Sequence, residues 1–130
     1  MNAVVTIKAR EKMLKARAGV STLSKITGFA FGNGGVDGSG NILPPTENQN
    51  TLNNELLRKE IEGYEFISNL VCRYSCSLDK DELSGCKISE IALFDEDGDL
   101  VAIKNCMPKG KDDDLEMTFL IDDSMEMKGE

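Results

Sequence analysis

The chain has 130 residues, 40% hydrophobic and 29% charged, with a formal net charge of −8 at pH 7 and no histidine. That size and balance suit one globular domain able to bury a core and argue against wholesale disorder. Lack of histidine excludes Ser-His-Asp and Cys-His nucleophile systems, most zinc hydrolase sites and the commonest general base.

The first predicted element is a helix within residues 1–19. Ile7, Ala9, Met13, Leu14 and Ala16 recur at three-to-four spacing, Thr6 is a possible N-cap, a start nearer Asn2 is equally open, and Gly19 is a natural left-handed stop. Lys8, Arg10, Lys12, Lys15 and Arg17 against Glu11 give this segment a net charge of +4, leaving −12 on the rest. An acidic body repels nucleic acid, and a helix without Trp or Phe on its apolar face is a poor membrane binder, so neither partner is expected. The same split suits docking of the five basic residues against an acidic surface, another copy included.

Lys25–Phe31 reads as a short strand with Phe29 and Phe31 on one face. Residues 32–47 form a Gly/Pro-rich loop. It lacks the Lys-Ser/Thr of a phosphate loop, and Pro44 and Pro45 follow where a nucleotide-binding helix would start. Thr46–Lys59 reads as a short helix or helical turn capped near Asn48 or Thr51, with Leu52, Leu56 and Leu57 on one side.

From residue 64 the period becomes two. Tyr64, Phe66, Leu70, Cys72, Tyr74, Cys76 and Leu78 share a face, which predicts one long strand over 64–78 and a core drawn from its even positions. A polar turn at 79–85 leads to Ile88–Phe94 and Leu100–Met107, paired through an acidic turn in which Asp95 and Asp97 can bond their own backbone and Gly98 can take a positive φ. A turn over Pro108–Asp114 precedes a last strand with Leu115, Met117, Phe119 and Ile121 inward, and residues 123–130 form a polar tail expected to fray. Antiparallel strands over 64–122 behind an N-terminal helix predict a single α+β domain spanning 1–130 with a β-sandwich-like body.

Cys72, Cys76, Cys86 and Cys106 fit no zinc spacing and read as free structural thiols. Asp95, Asp97 and Asp99 copy the start of a calcium loop. That loop's glycine and bidentate glutamate would fall at Leu100 and Cys106, so neither a metal nor another cofactor is expected. A small cytoplasmic ligand- or metal-binding β-domain remains the alternative reading.

The segment Glu90-Ile-Ala-Leu-Phe-Asp-Glu-Asp-Gly-Asp-Leu100 resembles the E-I-G-L-Y-D-x-D-G-x-L pattern of bacteriophage tail-collar fibre proteins, with Ala92 at the family's glycine. The family's other features occur in the same order. They are Ala16, Ala18 and Gly19 in a terminal helix, Leu23, Ile26, a G-x-G at 32–34, L-x-x-E-x-x-R at Leu52, Glu55 and Arg58, and Pro108. Longer members continue into a fibre shaft. The resemblance therefore implies a non-enzymatic attachment or adaptor module of a phage or prophage tail or baseplate, part of the virion tail and assembled in the bacterial cytoplasm. It would contact other tail proteins, usually as a symmetric homo-oligomer.

Overall fold

Apolar side chains at alternate positions of two facing sheets make the core. A computed structural model describes residues 3–127. Along the chain lie β1 (Val4–Val5), α1 (Ile7–Arg17), β2 (Ile26–Gly32), β3 (Glu55–Glu60), β4 (Gly63–Ser68), β5 (Val71–Leu78), β6 (Lys87–Asp95), β7 (Leu100–Gly110) and β8 (Met117–Ser124). They form a five-stranded sheet of order β1-β7-β6-β2-β3 and a three-stranded sheet of order β4-β5-β8. Every pairing in both is antiparallel. This is the α+β, sandwich-like class that the sequence predicts.

Phe29 and Phe31 of β2 and Ile91 and Leu93 of β6 face Cys76 and Leu78 of β5 and Phe119 and Ile121 of β8. The Phe31 and Phe119 rings meet edge to face at 5.2 Å. Complete burial of each large apolar side chain here contributes about 1.5–3 kcal/mol. On the opposite face of the larger sheet, Ala30, Ala92, Leu100 and Ile103 are covered by Leu52 from the preceding loop. Strand β6 is thus enclosed on both faces, which is why its sequence shows no clean alternation.

Helix α1 begins where Thr6 stops being extended. Its hydroxyl accepts the Ala9 amide at 3.1 Å and donates to the Leu100 carbonyl at 2.7 Å. The helix ends in a Schellman arrangement: Val20 N–H reaches the Lys15 carbonyl, Gly19 N–H reaches that of Ala16, and Gly19 sits at φ +78°. Thr6 and Gly19 act as the sequence allows, but Val4 and Val5, inside the segment expected to be helical, pair with β7 as β1 instead. Its inward face differs in part. Ala9 is buried and Lys12, Met13 and Ala16 are half-buried, whereas Ile7 and Leu14 lie on the opposite side in solvent.

Two segments correct the sequence reading. Residues 64–78 are two strands, with Asn69 and Leu70 at the reversal between Ser68 and Val71. Tyr64 pairs with Tyr74 and Phe66 with Cys72, and a register shift between Phe66 and Ser68 beside the turn leaves even-numbered residues on one face of both strands. Cys72, Cys76 and Leu78 are buried as expected, but Tyr64 and Phe66 are 64% and 68% exposed, as the small sheet overhangs the larger one. Residues 46–59 are not helical. They form a turn near Glu47–Asn48, an irregular segment and then β3, because pairing with β2 satisfies a longer stretch of backbone than an isolated turn of helix would.

The smaller differences are at the end of the chain. Strand β7 runs into the expected turn as far as Gly110, Leu115 is exposed, and β8 extends through Ser124 into the segment expected to fray. Residues 125–127 of that expected tail follow without regular structure, and residues 128–130 lie outside the described residues.

Candidate functional site

The acidic turn between β6 and β7 is a hub. Asp95 Oδ1 accepts the amides of Asp97 and Asp99 at 3.0 and 3.1 Å, and Gly98 takes φ +86°. The carboxylates of Asp95, Asp97 and Asp99 converge within 4.8 Å of one another, the grouping a divalent cation would use. The Lys12 ammonium from α1 sits among them, at 2.6, 3.0 and 2.7 Å respectively. Burial works against the Lys12 charge, but the hydrogen bonds to Asp95, Asp99 and Asp97 outweigh it and hold the ammonium well above its ordinary pKa. Ser24 donates to Asp97 at 2.6 Å, and with Lys12 it holds that carboxyl below the usual range. Through these contacts one turn binds helix α1 and the segment entering β2.

The second hub is Glu90, fully buried on β6. Its Oε2 accepts the amides of Gly34 and Asn54 at 2.8 and 2.7 Å, and its Oε1 that of Asn53 at 2.8 Å. A single carboxylate thereby ties the two ends of the Gly/Pro-rich excursion to the central strand. Beside it the L-x-x-E-x-x-R residues act as a set. Leu52 fills the second core, Glu55 pairs with Arg58 at 2.8 Å, and Arg58 donates to the Gly98 carbonyl at 2.8 Å with its guanidinium 4.7 Å from the Phe94 ring centroid. Residues 40 apart in sequence are thus drawn together by one arginine.

Other interior polar groups are also spent on loops. Lys111 is buried with its ammonium donating to the carbonyls of Lys80 and Asp112, and Lys59 bridges the Ser77 carbonyl and Glu82, each at 2.6 Å. All four cysteines are free. Burial raises the Cys76 thiol to about 11 and also raises Cys106, which disfavours the nucleophilic thiolate of each.

Of the five basic residues expected at an interface, Lys12 is engaged within its own chain and Arg10 pairs with Glu47 at 3.0 Å. Lys8, Lys15 and Arg17 are exposed, with no ion pair among the described residues. No helix in that range is long and apolar enough to cross a membrane.

An open cleft of about 790 Å³ lies where the small sheet overhangs, between β4–β5 and the segment 23–27, with Tyr64, Phe66 and Tyr74 on its wall. Asp123 lies directly across from Cys72 on the same inward face, and its Oδ1 is buried without a hydrogen-bond partner. Burial pushes its carboxyl above the usual range. The sequence carried a signal for this: Phe119, Ile121 and Asp123 share one strand parity, so an acidic group falls on the core face.

Residues 1–122 match the family described as phage tail-collar fibre protein, N-terminal. The chain belongs to that family. Membership gives it a structural role in a phage tail, in association with other tail proteins. Searches of curated proteins and of solved structures give no significant match. In this tail-collar fibre domain the motif residues are architectural. Glu90 staples loops, Ile91 and Leu93 fill the core, and Asp95 and Gly98 shape the hub turn.

Proposed function

We propose that the domain is a non-enzymatic attachment module that joins tail fibres to the tail or baseplate of a phage or prophage particle. It acts in the virion tail, after assembly in the bacterial cytoplasm, and works as a homo-oligomer without nucleic acid or membrane as partner. The observation that carries this reading is how the interior polar groups are used. Glu90, Asp95, Lys59 and Lys111 each bind backbone or ion-pair partners that fix a loop. Loops pinned in this way hold a fixed shape under load. Family membership supports the tail assignment, and the basic face of Lys8, Arg10, Lys15 and Arg17 on an acidic body supports docking. Lys12 supports that docking indirectly, by anchoring the helix that carries them.

The test is reconstitution. Purified domain is mixed with tail particles assembled without it, then with fibres, at a series of salt concentrations. The reading predicts that fibres join particles only when the domain is present, with binding weakened by salt because exposed charge pairs are screened beyond ~10 Å near 0.1 M. Fibres joining equally well without it would refute the adaptor role.

A further inference from the structure

Two exposed surfaces of this chain complement each other. On α1, Ile7 and Leu14 are one heptad apart and project away from the buried Ala9, and Leu14 is 63% exposed. At 100° per residue, Arg10 and Arg17 flank that stripe on one side and Lys8 and Lys15 on the other, with Glu11, the one acidic residue of the helix, between the stripe and the lysines. The cleft offers the opposite character. Its wall is aromatic, and the acidic Glu60 and Asp123 line it against one basic residue, Lys25. Asp123 is half-buried and one of its oxygens has no donor, so a guanidinium at the accessible side of that carboxylate offsets part of its desolvation cost.

We propose that this cleft receives helix α1 of a second copy of the chain, Leu14 entering beside Phe66 and Tyr74 and Arg17 reaching Asp123. It is an apolar stripe laid in a groove with charges matched at the edge. The helix face and the cleft are different surfaces of one molecule, so the contact is heterologous and repeats head to tail into a ring or an open chain. This deepens the homo-oligomer part of the attachment reading and rests on that reading only for its use in a tail.

The test uses two variants of the full chain, Leu14→Glu and Phe66→Glu, at positions exposed enough to leave the fold intact, as far-UV circular dichroism checks. Sedimentation velocity should show wild type as a concentration-dependent oligomer and each variant alone as a monomer. An equal mixture should form a one-to-one dimer and stop, because only the Phe66→Glu helix and the Leu14→Glu cleft remain functional. Asp123→Asn should weaken wild-type association about tenfold, the effect of losing one charge-assisted contact. A monomeric wild type, a mixture that stays monomeric, or a Leu14→Glu variant that assembles as wild type would each overturn the contact. The last result would indicate symmetric pairing through the β4 edge. None of these outcomes removes the tail assignment, which is tested on particles.

Discussion

Glu90→Gln is the substitution that most directly probes how the loops are held. Glutamine has one acceptor oxygen. Placed where Oε2 lies, it keeps the amides of Gly34 and Asn54 but sets its own NH₂ against the Asn53 amide, which Oε1 now accepts at 2.8 Å. One charge-assisted bond is lost, at about 1.5–3 kcal/mol, and the two that remain fall to neutral strength. The expected destabilisation is about 3–4 kcal/mol. Unfolding entropy of roughly 2.1 cal/mol/K per residue over 130 residues makes each kcal/mol worth about 4 °C, so Tm should fall by about 12–15 °C. Thermal and urea unfolding followed by far-UV circular dichroism measure this. Hydrogen exchange should show Gly34, Asn53 and Asn54 losing protection before the core strands. A Tm within about 4 °C of wild type, with those amides still protected, would refute the stapling argument.

Lys12→Met leaves the buried Asp95 carboxylate without its cation and should cost about 2 kcal/mol in urea unfolding, the strength of a hydrogen bond to a charged group; an unchanged midpoint would contradict the hub. The stabilising contribution of three carboxylates should be complete above about pH 4.5 and fall below it. Asp97, held down by Ser24 and Lys12, Glu82, held down by the Asp79 amide and Lys59, and Asp122, held down by Arg73, have folded values below their unfolded ones, so the unfolded chain binds more protons in that window. Asp123 runs the other way, its stabilising effect present at low pH and lost as pH rises through its raised value. Urea midpoints across pH should therefore show Asp123→Asn flattening that second component. Four thiols should titrate with Ellman's reagent in denaturant, while in the native protein Cys76 should react far more slowly than the unfolded chain; fast native labelling there would show that burial does not control it.

Much of the architecture was legible because period-two patterns report a half-buried sheet directly. Phe29 and Phe31, Met117 to Ile121, and the β6–β7 hairpin are where their alternation and turn residues put them. The reversal at Asn69–Leu70 was not legible, because Tyr64↔Tyr74 pairing preserves parity across it and the pattern of a hairpin equals that of one long strand. The helix expected within 46–59 failed because leucine spacing there satisfies two separate surfaces. Leu52 meets the second core, and Leu57 meets the first from a strand edge. Of the candidate site, the turn role of Asp95 and Gly98 could be read locally. The capture of Lys12 by that turn and the three amides on Glu90 depend on contacts between residues 36 to 87 positions apart, which no local pattern encodes. Asp123 lay at an inward parity but beyond Ile121, the last inward residue expected of the strand, where a strand end and a polar tail look alike.

The central claim, that this domain is a built-in part of a phage tail, is tested most directly by immunogold electron microscopy of particles purified from the host that produces them, using antibody raised against the domain. The account predicts label confined to the tail or baseplate, at the level where fibres emerge, and co-purification of the chain with tail proteins at fixed stoichiometry. Intact, fibre-bearing particles carrying no label and none of the chain by mass spectrometry would contradict it.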